Sequence, residues 1–258
     1  MLSKSKIKLI QSLDSKKNRL TTGLFIVEGD KMVEEVLSSE FTIELLLATN
    51  NWYSKHSANK FKDRCECEIV SEEELKKCSF LKSPPQAICL VKAPNYNIED
   101  ATFKNKLTII LDTIQDPGNL GTIIRIADWF GIDQIICSEQ TADAYNPKVI
   151  QSTMGAIFRM KIFYQPLLTI LKTLKDQQIQ VYGTTLDGEN IYKSTLSAEG
   201  CIIMGNESKG IDPALIPFIS KKLFIPFYPP EQQHSESLNV SVATGIICAE
   251  FRRLQTII

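Results

Sequence analysis

The chain has 258 residues, of which 43% are apolar, and this is enough for one large domain or two modest ones. Its 29 Lys and Arg nearly balance 30 Asp and Glu, so the net charge of −1 excludes a protein that coats nucleic acid through bulk positive charge. The sequence contains no run of about 18 apolar residues, and its polar, lysine-bearing start lacks the apolar core of a secretion signal. These features predict a soluble, cytoplasmic protein with no membrane span.

The seven cysteines are scattered over the chain and contain no C-x-x-C pair, which argues against a disulfide framework and against a zinc site. Cys137, Cys201 and Cys248 each lie within an apolar run, where a thiol usually packs as a small buried hydrophobe. We therefore expect no metal in this protein.

The first elements predict a small α/β unit. A basic amphipathic opening is followed by FIVEGDKMVEEVL, which is typical of a strand passing into a helix, and then by the strand-like runs TIELLLA, CEIV and AICLVK. Residues 1–20 carry six basic side chains against a single acidic one. Lys16, Lys17 and Arg19 are thus candidates for contacts with nucleic-acid phosphates, and a solvated helix face is the alternative.

A stretch with Pro and Asn around residues 93–105 separates two strand-like runs and is typical of a connection between domains. We place an N-terminal domain at 1–95, a linker at 96–105 and a second domain at 106–258. The second domain contains six β-rich runs that alternate with segments of helical spacing: LTIILD, QIICS, FRMKIFY, IQVYGTT, CIIMG and KLFIPF. This alternation predicts an α/β fold with a mostly parallel sheet, closed by a helix over about 237–254.

Three segments follow predicted strands of the second domain: 112–125 and 204–211, which contain glycine, and 225–241. Ligands of parallel α/β sheets bind at such strand ends. In the first segment we expect Asn119 to cap a helix and to face the same polar ligand as Arg125, which lies one to two turns further on.

Common catalytic and nucleotide motifs are missing from these segments. The chain has no G-x-G-x-x-G, and Gly210 is followed by Ile211 and Asp212 where a phosphate-binding loop has Lys and Ser or Thr. The two histidines, His56 and His234, have few functional partners around them, and we expect both at the surface.

The order of the three segments is similar to that of a known enzyme family. The shared blocks are N-x-G-x-x-x-R (Asn119, Gly121, Arg125), G-x-E-x-x-G (Gly205, Glu207, Gly210) and I-P…S-L-N-V-S (Ile225, Pro226, Ser237 to Ser241). Over about residues 105–256 the chain resembles the SpoU/TrmH family of S-adenosylmethionine-dependent RNA ribose 2′-O-methyltransferases. Its start resembles the ribosomal-protein-like RNA-binding domain of that family.

The resemblance implies a SPOUT fold, in which the C-terminal segment forms a deep trefoil knot around the cofactor site. It implies S-adenosylmethionine as cofactor, bound by backbone groups of Gly205, Ile225 and Leu238, with Met204, Pro226 and Asn239 lining the pocket. It also implies an RNA substrate, with ribosomal RNA favoured over transfer RNA, and a homodimer formed through the knotted domain.

The resemblance further implies roles in catalysis. Arg125 is expected to bind the ribose or the adjacent phosphate and to assist removal of the hydroxyl proton, while Asn119 orients the nucleotide and Arg125. Glu207 is expected to hold the loops by accepting hydrogen bonds, and Ser237 and Asn239 to lie beside the point of methyl transfer. Loop bracing or helix capping without direct chemistry is the alternative for Glu207 and Ser237.

The third block departs from the family pattern, because FYPPEQQHSE at 227–236 is longer than usual and has no glycine. This stretch is expected to form a lid, to contact RNA or to obstruct the cofactor. Obstruction would leave a non-catalytic RNA-binding protein that retains the fold. An ordinary nucleotide-dependent metabolic enzyme is a third alternative, disfavoured by the missing fingerprints.

Overall fold

The computed structural model describes residues 2–56, 64–229 and 237–253, and the chain forms two compact units. The first unit contains residues 1–95 together with 143–159, and the second contains residues 96–142 and 160–258. Segment 143–159, which lies inside the predicted 106–258 domain, is therefore packed with the N-terminal residues. The domain boundaries proposed from the sequence stay a prediction.

The first unit is an α/β unit, as its strand-like runs predict. Its elements are α1 (Lys4–Ser12), α2 (Lys16–Thr22), β1 (Leu24–Glu28), α3 (Asp30–Leu37), β2 (Ile43–Ala48), α4 (Asn50–Lys55), β3 (Glu66–Ile69), α5 (Glu72–Cys78), β4 (Ala87–Lys92) and α7 (Pro147–Thr153). The sheet has the order β1-β4-β2-β3, in which β2 and β3 are parallel and the other two pairs are antiparallel.

Local signals explain where several of these helices begin and end. Ser71 and Glu74 form a capping box that starts α5, and the side chain of Thr49 caps α4 by accepting from the Trp52 amide. Helix α2 ends at Gly23, whose φ of 66° is a left-handed conformation that costs glycine little.

Strand β1 lies at an edge of the sheet, and segment 143–159 packs against it. The side-chain amide of Gln151 donates to the carbonyl of Glu28 at 2.8 Å, and the Phe25 and Tyr145 rings lie 4.7 Å apart between centroids. An open strand edge carries unpaired peptide groups that need partners. This segment supplies one of them from far along the sequence.

The second unit is built on a six-stranded sheet with the order β10-β8-β9-β5-β6-β7, and every strand pair in it is parallel. Its elements are β5 (Leu107–Leu111), α6 (Pro117–Trp129), β6 (Gln134–Cys137), β7 (Lys161–Tyr164), α8 (Leu167–Asp176), β8 (Val181–Asn190), β9 (Gly200–Met204), β10 (Lys221–Phe224) and α9 (Val240–Arg253). The predicted parallel α/β sheet is thus confirmed.

The central strands β5, β6 and β9 are buried along their whole length, as expected for a parallel sheet. Cys137, Cys201 and Cys248 are each fully buried, so their predicted role as core residues is confirmed. In the predicted linker, Tyr96 packs on the core of this unit with its ring 5.9 Å from that of Phe163. No helix among the described residues is long and apolar enough to cross a membrane.

Because all six strands point the same way, their carboxyl ends meet at one edge of the sheet. The segments that follow β5, β9 and β10 contain the three blocks shared with the family. The topology therefore brings to one edge the residues that the sequence spreads over more than a hundred positions.

Candidate functional site

The first block opens helix α6. Asp116, not Asn119, is the cap: its carboxylate accepts from the backbone amide of Asn119 at 2.8 Å, and Pro117 follows in the first turn. The predicted capping role of Asn119 is therefore wrong. Asp116 satisfies the backbone amide of Asn119, and the Asn119 side chain is therefore not needed for capping and can bond residues outside the helix.

The side chain of Asn119 joins the three blocks. Its amide nitrogen donates to Oε1 of Glu207 at 3.0 Å, and its amide oxygen accepts from Nδ2 of Asn239 at 2.9 Å. These three residues, which we call the Asn-Glu-Asn group, are partly buried or exposed at the edge of the sheet. Polar side chains from three separate segments are thus connected by hydrogen bonds at the expected strand ends.

Asn239 is held in place by helix α9. Its Oδ1 accepts from the backbone amide of Ser241 at 3.0 Å, from the Ser241 hydroxyl at 2.6 Å and from the Val242 amide at 3.3 Å. This is the geometry of a helix cap. The alternative that Ser237 caps this helix is wrong, and Ser237 is exposed without a hydrogen bond to any described residue.

The second block forms a tight loop after β9. Asn206 and Gly210 exchange two backbone hydrogen bonds of 2.9 Å, which close the loop. A Cβ on Gly205 would lie 2.4 Å from the backbone carbon of Gly210, so only glycine fits this position. Met204, the last residue of the strand, is buried.

Three of the predicted cofactor-binding residues have unengaged backbone groups. Outside the helices and strands, no backbone hydrogen bond within the described residues involves Gly205, Ile225 or Leu238. Ile225 and Pro226 are half-buried, and Leu238 is 48% exposed. Backbone donors and acceptors at this edge are therefore available to a ligand.

Arg125 is not part of the Asn-Glu-Asn group. It is exposed and makes no hydrogen bond or ion pair with the described residues. Arg125 follows Asn119 by about one and two-thirds helical turns, which places the two side chains about 120° apart around the helix axis. Contact between them is thus absent here, and the spacing does not favour the predicted common orientation. Trp129, one turn beyond Arg125, is 83% exposed.

The predicted basic patch is split by the structure. Lys16 and Lys17 are exposed on α2, but Arg19 is only 5% exposed. The Arg19 guanidinium donates to Oδ2 of Asp143 at 2.6 and 2.8 Å and to the carbonyls of Leu13 and Asp14. All three nitrogens of the guanidinium are engaged inside the first unit, which disfavours a contact of Arg19 with RNA phosphates.

His56 is stacked on Trp52 at 4.2 Å and its Nε2 lies 2.7 Å from Glu34, in the first unit and outside the candidate site. The hydrogen bond to the Trp52 carbonyl, together with Glu34, raises its pKa. Residues 230–236, which include His234 and most of the long 227–236 stretch, lie outside the described residues.

Sequence reasoning did not identify two polar residues beside the site. Asp112 is 6% exposed directly after β5, and its carboxylate accepts from the backbone amide of Asp212 at 2.7 Å. Asn206 donates from its side chain to the carbonyl of Thr113 at 2.8 Å. The available signal was a polar residue at the end of a fully apolar strand.

Two family models match the chain. Residues 106–249 match the SpoU rRNA Methylase family, and residues 4–89 match the MRM3-like substrate binding domain. The first match alone covers more than half of the chain.

Individual proteins of known sequence or structure are similar over nearly the whole chain. The 23S rRNA (guanosine(2553)-2′-O)-methyltransferase RlmP of Bacillus subtilis is 31% identical over 96% of both chains. A putative RNA methyltransferase of the TrmH family from Porphyromonas gingivalis has a TM-score of 0.87 and 33% identity, over 98% of this chain and 99% of that one.

An AdoMet-bound rRNA methyltransferase from Sinorhizobium meliloti is also similar, with a TM-score of 0.86 and 26% identity over 98% of this chain and 96% of that one. The family match over residues 106–249 contains all three blocks of the site. The chain belongs to the SpoU rRNA methylase family.

Proposed function

We propose that this protein transfers the methyl group of S-adenosylmethionine to the 2′-hydroxyl of a ribose in ribosomal RNA. The second unit carries the transfer site, and the first unit binds the RNA. The observation that carries this proposal is the Asn-Glu-Asn group, in which hydrogen bonds join the three family blocks at one sheet edge. The match of residues 4–89 to a substrate binding domain supports the role of the first unit.

The reaction needs alignment more than it needs a strong base. When bound, the cofactor supplies an electrophilic methyl group on a positively charged sulfur. The ribose hydroxyl is a poor nucleophile at neutral pH, so the protein must orient it and help to remove its proton. Neutral amide side chains and free peptide groups are suited to this positioning role.

We assign cofactor binding to the backbone of Gly205, Ile225 and Leu238, with Met204, Pro226 and Asn239 beside them. The unengaged peptide groups of the first three residues support this assignment, because an adenine edge is neutral and pairs well with peptide donors and acceptors. The bound cofactor in the Sinorhizobium meliloti neighbour supports the choice of S-adenosylmethionine.

We assign substrate binding to Arg125. Its guanidinium is exposed and unpaired among the described residues, so it is available to bind a phosphate or a ribose. A guanidinium stays protonated in proteins, so it assists the loss of the hydroxyl proton by electrostatics and does not act as a base by itself. Asn119 orients the nucleotide, Glu207 holds Asn119, and Ser237 and Asn239 lie near the point of transfer.

We further propose that the protein acts in the cytoplasm as a homodimer formed through the second unit, with its C-terminal segment knotted. Support for the dimer comes from α6 and α9, which pack side by side and expose apolar residues. Trp129 is 83% exposed and Val242 is 52% exposed. Exposed apolar groups of this size on adjacent helices favour a protein partner.

The name of one similar protein indicates which RNA is modified. The Bacillus subtilis relative is named for a guanosine of 23S rRNA, and the similarity spans 96% of both chains. We therefore propose a guanosine of the large-subunit RNA as the substrate.

The test is methyl transfer in vitro with purified protein, labelled S-adenosylmethionine and ribosomal RNA, followed by mapping of the modified ribose. We expect one new 2′-O-methylguanosine in the large-subunit RNA. Methylation of transfer RNA alone would contradict the proposed target. Failure both to methylate and to bind S-adenosylhomocysteine in calorimetry would favour the non-catalytic RNA-binding alternative.

A further inference from the structure

The loop at 205–212, which carries Glu207, is tied near both of its ends to two consecutive residues that follow strand β5. We propose that Asp112 and Thr113 are positioning residues of the methyl-transfer site, because they determine where this loop lies. The inference rests on the proposed function and adds to it two residues that act through the loop.

Asp112 holds the far end of the loop. Its Oδ2 accepts from the backbone amide of Asp212 at 2.7 Å, and its Oδ1 accepts from the Thr113 hydroxyl at 2.9 Å. Its own amide donates to the carbonyl of Met204 at 2.9 Å. A carboxylate that is only 6% exposed is costly unless its oxygens are paired, and here both are. The pairing makes Asp112 a rigid attachment point.

Thr113 holds the near end of the loop. Its φ of 60° is rare for a β-branched residue and persists only when its surroundings impose it. Its amide donates to the Ser138 hydroxyl oxygen at 2.9 Å, and that oxygen lies 3.0 Å from the Thr141 hydroxyl. In this conformation the Thr113 carbonyl accepts from the side chain of Asn206 at 2.8 Å.

Asn206 transmits this constraint to Glu207. Its Nδ2, which donates to Thr113, also lies 3.4 Å from Oε2 of Glu207. Its Oδ1 accepts from the amides of Ser208 and Lys209, both at 3.0 Å. Glu207 in turn accepts from Asn119. A continuous series of hydrogen bonds therefore runs from the end of β5 to the Asn-Glu-Asn group.

The position of Asp112 predicts an effect on cofactor binding in addition to any effect on the stability of the fold. The loop begins at Gly205, whose backbone we assign to the cofactor, so a displaced loop changes cofactor binding directly. Displacements of about 1 Å in a positioned site are enough to lower activity strongly. Loss of Asp112 should therefore weaken cofactor binding while leaving RNA binding by the first unit unchanged.

The experiment compares Asp112→Ala and Asp112→Asn with wild type by calorimetry with S-adenosylhomocysteine and by steady-state methylation. We expect Asp112→Ala to weaken binding about tenfold and to raise the KM for S-adenosylmethionine in proportion, with the KM for RNA unchanged. Asp112→Asn keeps one acceptor oxygen for the Asp212 amide and should restore most of the affinity.

A matched control is Gln134→Ala. Gln134 is 2% exposed and donates to the Thr102 carbonyl at 2.7 Å and to the Thr108 hydroxyl at 2.6 Å, at the opposite end of the sheet. This variant should lower the melting temperature without changing the affinity for S-adenosylhomocysteine. Wild-type affinity in folded Asp112→Ala would overturn the inference.

If Asp112→Ala does not fold, the Asn206→Asp variant tests the inference instead. This variant keeps an oxygen for the Ser208 and Lys209 amides but removes the donor to Thr113 and places a carboxylate beside Glu207. We expect a similar loss of affinity, and wild-type affinity would overturn the inference. A wild-type protein that does not bind S-adenosylhomocysteine would instead overturn the proposed function, and this inference with it.

Discussion

The side-chain amide of Asn119 donates to the carboxylate of Glu207 at 3.0 Å, across 88 positions of the sequence. This hydrogen bond joins the first turn of α6 to the loop after β9. Because an amide donates and a carboxylate only accepts, the pair is matched in hydrogen-bonding capacity. Replacement of the donor by a second acceptor should therefore be harmful in a way that depends on pH.

Asn119→Asp places two carboxylates next to each other, and the pKa of one of them should rise because both cannot remain ionised cheaply. A carboxyl group whose pKa is raised in the folded state favours folding once it is protonated, and this contribution is lost as the pH rises through that pKa. The melting temperature of Asn119→Asp should thus lie further below wild type at about pH 8 than at about pH 5. Asn119→Ala adds no charge, and its deficit should not vary with pH. An equal deficit of Asn119→Asp at both pH values would contradict the prediction.

Gly205→Ala should abolish binding of S-adenosylhomocysteine. The added Cβ would lie 2.4 Å from the backbone carbon of Gly210, and backbone on both sides of the loop cannot move aside without breaking its closure. Gly245→Ala is the matched control, since its Cβ would meet only the Ile126 side chain at 3.7 Å. Alanine is also the better helix former there by about 1 kcal/mol. Calorimetry on both variants tests the pair, and unchanged affinity in Gly205→Ala would refute the prediction.

Arg125→Ala should retain affinity for S-adenosylhomocysteine and lose most methylation, because we assign Arg125 to the substrate and not to the cofactor. The reduction expected for one charge-assisted hydrogen bond in a transfer site is on the order of a hundredfold in kcat/KM. Arg253→Ala, which removes an exposed guanidinium paired with Glu250 on α9, should leave both quantities near wild type. A parallel loss of cofactor affinity in Arg125→Ala would show that the assignment is wrong.

Replacement of Lys16 and Lys17 by Ala should weaken RNA binding and reduce the slope of log affinity against log salt by about one for each phosphate that is no longer neutralised. Both side chains are exposed on α2 and unpaired among the described residues. Lys6→Ala is the control, because the Lys6 ammonium is already paired with Glu66 and Glu68. Binding titrations at several salt concentrations decide, and an unchanged slope in the double variant would favour the solvated-face alternative.

Arg19→Ala should act on stability and leave the RNA salt dependence nearly unchanged. It would strand the partly buried carboxylate of Asp143 and remove the donors to the Leu13 and Asp14 carbonyls. Removing one partner of such a pair lowers the free energy of unfolding by about 3 kcal/mol. Urea denaturation measures this value. A loss of RNA affinity at wild-type stability would instead return Arg19 to the RNA-binding surface.

Much of the fold was predictable because buried segments can be recognised from the pattern of apolar residues in the local sequence. The strands of the second unit's centre are buried on both faces, so they appear as short apolar runs, and their order with helices implies a parallel sheet. Parallel strands place their carboxyl ends at one edge, which explains why Asn119, Glu207 and Asn239 could be expected at one site from sequence alone.

Side-chain partners that lie far apart in the sequence could not be recognised in this way. Arg19 lies in the same basic stretch as Lys16 and Lys17. Its ion-pair partner, Asp143, lies 124 positions away, so the local sequence gives no sign that Arg19 is buried. Asn119 and Arg125 share one block, yet the helix turns them apart. Segment 143–159 likewise packs with the N-terminal residues because β1 offers an open edge.

Composition and apolar periodicity by themselves indicated the class of fold, and the three blocks indicated the family and the end of the sheet that carries the candidate site. Tertiary structure alone decided which polar groups satisfy each other: the Asn119 amide with Glu207, the Asp112 carboxylate with the Asp212 amide, and the Arg19 guanidinium with Asp143. The physical reason is the separation along the sequence of the residues that each interaction involves. Burial of apolar residues follows the local pattern, whereas a hydrogen bond requires two atoms within about 3 Å, and only the folded chain brings distant residues that close.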